Sequence, residues 1–150
     1  MAKTTVSPIV SLALAVLLSA ACDVFSSEPV EVLVSVDPRQ FIVGDSSKIT
    51  VTAVNRSWHR FRVSGCEMGY QVFDSAGNFV APLWLCVSDL TYPPHLERRG
   101  TLVKTYTWCG QTFKADPLWL PPGVYRVYGV LDAAEVRAIS SPVTVELLEG

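Results

Sequence analysis

Val30-Glu31-Val32-Leu33-Val34-Ser35-Val36-Asp37 (VEVLVSVD, residues 30–37) alternates without a break. Val30, Val32, Val34 and Val36 fall on one side, and Glu31, Leu33 and Ser35 on the other. Successive side chains of a strand point to opposite faces, so this period of two predicts a half-buried β-strand. Pro38 ends it, and Val43-Gly44-Asp45-Ser46 supplies the next turn. KITVTAVN, Lys48 to Asn55, repeats the pattern with Ile49, Val51 and Ala53 on one side, in β-branched residues that suit a pleated surface.

The same period recurs outward from this pair. Arg60–Val63, Tyr70–Asp74, Phe79–Ala81, Leu102–Trp108, Val124–Leu131 and VTVELL after Pro142 all read as short strands. Ser75-Ala76-Gly77-Asn78 joins two of them as a hairpin turn, with Gly77 where positive φ is needed. Asp132–Val136 (DAAEV) is one helical turn at most, and no window has sustained helical periodicity. Alternation rather than continuous apolar runs predicts antiparallel sheets, each with one wet face. Seven to nine short strands with turns between them predict an all-β, immunoglobulin-like antiparallel sandwich over residues 30–150. The longest irregular stretch, Cys86–Gly100, contains Tyr92-Pro93-Pro94-His95 and is excluded from a central strand, because proline donates no ladder hydrogen bond.

Residues 1–21 have another character. Lys3 precedes an uncharged stretch whose apolar centre, Ile9–Leu18, is about half the ~20 residues a spanning helix needs. A charged start, a short apolar centre and small residues before a boundary describe a secretory signal peptide. Ser19-Ala20-Ala21 stands directly before Cys22. The arrangement resembles the lipobox of bacterial lipoproteins, with Ser19 where leucine is usual and Leu18 one step back. The resemblance implies that Cys22 is lipidated and becomes the first residue of the mature chain. Residues 22–29 then form a polar tether. The protein is expected in the cell envelope, held by lipid on the outer or cytoplasmic membrane, with its domain in the periplasm or outside the cell.

The formal charge of −2 over 150 residues offers no basic excess for phosphate, so nucleic acid is not an expected partner. Of four cysteines, Cys66, Cys86 and Cys109 remain after Cys22, and export favours a disulfide among them. Three single bridges are possible. The hairpin centred near Ala76 brings Cys66 and Cys86 opposite each other if its register persists past Gly69 and Pro82. No such local reason links either to Cys109. A Cys66–Cys86 bridge closing a loop of roughly twenty residues contributes ~3 kcal/mol when it acts on chain entropy, leaving Cys109 as a free thiol.

No paired cysteine or histidine spacing suggests a metal, and His59 and His95 are far apart in sequence. No nucleophile elbow, zincin, phosphate-loop or dinucleotide motif is present, so no cofactor and no catalytic residue are expected. Trp58, Trp84, Trp108 and Trp119 either fill the core or line a groove.

Val51-Thr52-Ala53-Val54-Asn55, the hairpin Tyr70–Gly77, Thr105-Tyr106-Thr107-Trp108, and Leu120-Pro121-Pro122-Gly123-Val124-Tyr125-Arg126-Val127 with Gly129 and Leu131 together resemble the intracellular proteinase inhibitor (BsuPI-type) domain family. The likeness spans roughly residues 32–145. Leu96-Glu97-Arg98-Arg99-Gly100 departs from the family's leucine-x-proline-glycine turn. The resemblance implies an immunoglobulin-like domain that binds a protein partner, with a protease as its most specific form. Within Leu90–Gly100, Tyr92, Pro93, Pro94, His95 and Leu96 form the candidate binding loop. The other reading is a structural accessory domain of an envelope complex without separable activity.

Overall fold

The computed structural model describes residues 28–64, 66–81, 95–112 and 118–150. The alternating stretch is strand β1 (Val30–Asp37), with Val30, Val32 and Val36 buried and Leu33 about half exposed. After β2 (Gln40–Ile42), β3 (Ser47–Asn55) buries Ser47, Ile49, Val51, Ala53 and Asn55. It pairs with β1 antiparallel from Val30↔Asn55 to Asp37↔Lys48. The chain continues through β4 (Phe61–Arg62), β5 (Met68–Phe73), β6 (Phe79–Ala81), β7 (His95–Leu96), β8 (Thr101–Trp108), β9 (Gly123–Asp132), β10 (Arg137–Ile139) and β11 (Val143–Leu148).

One sheet has the order β1-β3-β8, and the other β2-β11-β9-β5-β6, with β10 also on β9. β4 and β7 form a separate two-stranded ribbon. Between β1 and β2, Pro38 and Arg39 carry the chain from the first sheet to the second, where β2 runs parallel to β11. The other named pairs are antiparallel. A three-stranded sheet of first, second and fifth immunoglobulin strands facing a sheet built on the last, sixth and third is the immunoglobulin arrangement. The Tyr125 hydroxyl donates to the Pro121 carbonyl at 2.6 Å, a tyrosine corner at the entry to β9. Two residues on, where antibody domains carry a cysteine, stands Val127, which like Val51 is fully buried. Apolar packing therefore replaces the cross-sheet disulfide at this position.

That packing is tightest at Gly129. A Cβ there would come within 3.0 Å of Val51 Cγ1 and 3.2 Å of both Val32 Cγ1 and Val34 Cβ. The valines of β1 and β3 thus rest on β9 backbone. Around this contact the core gathers Ile49, Met68, Val72, Leu131, Val145 and Leu147.

The expected hairpin is present. Gly77 has φ of +88°. Asp74 caps the turn by accepting from Asn78 N at 2.8 Å and Asn78 Nδ2 at 2.9 Å. The Asn78 side chain, followed by its backbone N–H, holds the Asp74 carboxyl below the usual aspartate range. The strand count needs correction. Eleven strands are formed among the described residues rather than seven to nine, because β2, β7 and β10 are too short to show a period. Asp132–Val136 contains no helical turn: Ala133 N donates to Val136 O at 3.0 Å, closing a tight β9–β10 hairpin.

Gly129→Ala is expected to lower stability by ~1–3 kcal/mol, as over-packing of a filled core does. Urea unfolding of the variant checks this, and an unchanged midpoint would show that the sheets part here without cost.

Candidate functional site: the open edge of β1

In an antiparallel ladder, alternate residues direct their backbone N–H and C=O to opposite sides. Arg56 N donates to Pro29 O at 2.8 Å, which assigns the odd-numbered residues at this end of β1 to the β3 side. On the far side of β3, Asn55 N donates to Gly100 O at 2.9 Å, in agreement. Val30, Val32, Val34 and Val36 therefore turn their backbone groups away from β3. No strand among the described residues pairs with that edge. The valine side chains are committed to the core, while their peptide groups are offered outward.

Opposite this edge the second sheet has a gap. β10 pairs with β9 as far as Ile139↔Val130, and β11 resumes at Val143↔Val127, so one extra residue is accommodated between them. Ser140 spans the break: its N–H donates to Gly129 O at 2.9 Å, and its hydroxyl accepts from Gly129 N at 2.8 Å. The hydroxyl in turn donates to Ser141 O at 2.8 Å, so the buried serine is satisfied. Pro142 brings no N–H to the ladder. This is a β-bulge, a device that bends a strand and interrupts pairing.

Between β1 and the bulge lies a groove of about 820 Å³. Val30, Val32 and Val34 form one wall, and Ile139, Pro142 and Val143 the other. Glu28, Glu31, Arg56 and Arg99 also line it. Glu31 and Arg56 form an exposed ion pair, worth ~1 kcal/mol or less in water. Asn55 holds this end together. Its Nδ2 donates to His59 O at 2.6 Å and Glu97 O at 2.9 Å, while Oδ1 accepts from Ser57 N and Oγ at 2.9 and 2.8 Å. All its polar capacity is used, which is what burial of an amide requires. The two loops it joins present Arg99 5.0 Å above the ring of Trp58, a side chain 72 % exposed.

The residues singled out from sequence are dispersed. Cys22, Cys86, Tyr92, Pro93, Pro94 and Trp84 lie outside the described residues. Leu96 is 1 % exposed, so it belongs to the core and is not a surface contact. His95, beside it in β7, accepts at Nδ1 from Arg60 Nη2 at 2.9 Å, and Arg60 Nε lies 3.2 Å from Glu97 Oε1. Cys66 is disulfide-bonded, its partner falling outside the described residues. Cys109 is a half-buried free thiol. It adjoins Tyr70, whose hydroxyl pKa is raised chiefly by burial and secondarily by Cys109. Trp108 is core, edge-on to Phe41 at 5.7 Å, and Trp58 and Trp119 are exposed without lining the groove. Among the described residues no three His, Cys, Asp or Glu side chains are grouped to hold a metal ion.

No family model and no curated protein sequence matches the chain. Among solved structures it is similar to the Pseudomonas fluorescens alkylpurine DNA glycosylase AlkC bound to DNA containing an abasic site analogue. That likeness has a TM-score of 0.54 and 12 % identity, covering 86 % of this chain and 33 % of that one. It is also similar to a β-glucosidase from Listeria innocua in complex with isofagomine, with a TM-score of 0.49 and 15 % identity over 79 % of this chain and 16 % of that one. The chain spans only about a third and a sixth of these proteins. At such identities the first likeness shows the fold alone.

Amide exchange checks the edge directly. Val32 and Val34 are expected to exchange at least tenfold faster than Leu33 and Ser35, although the side chain of Val32 is buried and that of Val34 partly so, because only the latter pair donate to β3. Equal protection of all four would mean that the edge is closed.

Proposed function

We propose that the protein is an exported, lipid-tethered binding module and not an enzyme. Residues 1–21 direct export, Cys22 is acylated, and residues 22–29 tether the sandwich while the β1 edge takes up a protein partner. The observation carrying the binding part is the edge of an eight-residue strand that no other described strand pairs, beside a groove lined by both aliphatic and charged side chains. Edge strands are usually blunted by lysine, proline, a bulge or a covering segment, because an open one is a template for pairing. β1 contains neither lysine nor proline, and its pairing with β3 is unbroken. An edge that no described strand covers fits recognition.

The cysteines support the proposed compartment. Cys66 is disulfide-bonded, and a structural disulfide suits an oxidising space. The proposed partner is Cys86, as expected from the sequence, with Cys22 reserved for the lipid. Protease inhibition, implied by the resemblance to the BsuPI-type domains, is the most specific form of this reading. Burial of Leu96 moves the primary contact surface from the proline-rich loop to β1.

The test is a photo-crosslinking residue at Leu33 in the full chain, expressed in its host, with Ser75 in the exposed hairpin turn as control. The expected result is a discrete protein adduct from position 33 only, on a chain that mass spectrometry finds acylated at Cys22. Equal adducts at both positions would remove the binding surface. An unmodified chain that still starts at Met1 would remove the tether.

A further inference from the structure

We infer that the occupant of the β1 edge is an extended segment of a partner protein, added as a fourth strand to the β8-β3-β1 sheet, with aliphatic residues at alternate positions and basic residues between them. The inference rests on the binding-module reading and names its ligand.

The backbone sets the shape. Val30, Val32, Val34 and Val36 present donors and acceptors at every second residue, roughly 6.8 Å apart, a spacing that only another extended chain matches. The groove sets the inner side chains. Every second residue of an added strand points between the sheets, among Val30, Val32 and Val34 on one side and Ile139, Pro142 and Val143 on the other. Against these aliphatic side chains a polar group loses water without gaining a partner, so aliphatic residues are favoured there, while Glu28 and Arg99 leave polar partners elsewhere in the groove.

The outer face sets the charge. Glu31, Leu33, Ser35 and Asp37 share it, giving the edge strand two acids and no base. The bases that offset them stand on the other side: Arg56 pairs with Glu31, and Lys48 lies opposite Asp37 on β3. Residues directly across a strand pair attract when oppositely charged and repel when alike. Basic residues across from Glu31 and Asp37 are therefore favoured, with an apolar contact to Leu33, which is 48 % exposed. A second copy of β1 fits less well. It adds two more acids to the same ribbon, and pairing centred on Val34 sets Glu31 directly against Asp37 of the other copy.

The test uses the isolated full chain in detergent and two synthetic peptides. One alternates lysine and valine about a central threonine; the other has glutamate in place of lysine. The lysine peptide is expected to slow exchange of the Val32 and Val34 amides at least tenfold and to bind about tenfold more tightly than the glutamate peptide. Leu33→Lys is expected to weaken the lysine peptide several-fold and Leu33→Glu to strengthen it, since both changes lie on an exposed face. No slowing at millimolar lysine peptide, or equal binding of both peptides, overturns the inference. Slow exchange without peptide that speeds on dilution overturns it in favour of a second copy. If the Leu33 crosslink to a protein persists while the peptides fail, strand addition falls and the binding module stands. If both fail, both readings fall.

Discussion

The structure depends on the seating of three valines on one glycine. Val32 and Val34 of β1 and Val51 of β3 meet β9 where it has no side chain, at Gly129. Elsewhere the sheets are held apart by interleaved side chains such as Ile49, Leu131 and Val145. Here backbone serves as the floor. Full burial of a valine is worth ~1.5–3 kcal/mol, and a floor of backbone is what lets Val32 and Val51 be buried so deeply, with Val34 partly buried beside them. The same glycine is bonded through both its N–H and its C=O to Ser140, so the close approach and the bulge are one unit. The bulge opens the gap beside β1. The feature that closes the core thus also creates the groove.

Other parts of the fold orient this unit. The tyrosine corner fixes the entry to β9, and Trp108, edge-on to Phe41, fills the end of the core near the switch from β1 to β2. Asn55 does for the opposite end what a disulfide does in many small exported domains. It ties two loops through four hydrogen bonds from one buried side chain. Because those loops carry Arg56, Arg99 and Trp58, the asparagine also defines the charged end of the groove.

Much of this was legible in the residues. Unbroken alternation in Val30–Asp37 and Lys48–Asn55 marks two strands with one dry face each, and the structure forms them with bounds shifted by no more than a residue. Gly77 was readable as a positive-φ turn residue because little else adopts that conformation cheaply. The short strands β2 and β10 were not readable, since three residues carry no period and their pairing is decided by distant partners. The candidate site was hidden for the same reason. Alternation says which side of β1 is buried, but which edge is left unpaired follows from sheet order, and sheet order is long-range. Leu96 misled in the opposite sense: two prolines and a histidine before it read as loop, while pairing with Phe61 draws it into the core.

The proposed binding role rests on this arrangement. The valines of this eight-residue strand are directed at the core, so on their side it offers its backbone, and the groove makes that backbone reachable. Proton–proton distances in solution test the central contact most directly. The account predicts strong nuclear Overhauser effects from the Gly129 α-protons to the methyl groups of Val32, Val34 and Val51, with none from any other strand to the amides of Val32 and Val34. Missing Gly129–valine effects, or cross-strand effects at those two amides, would contradict it.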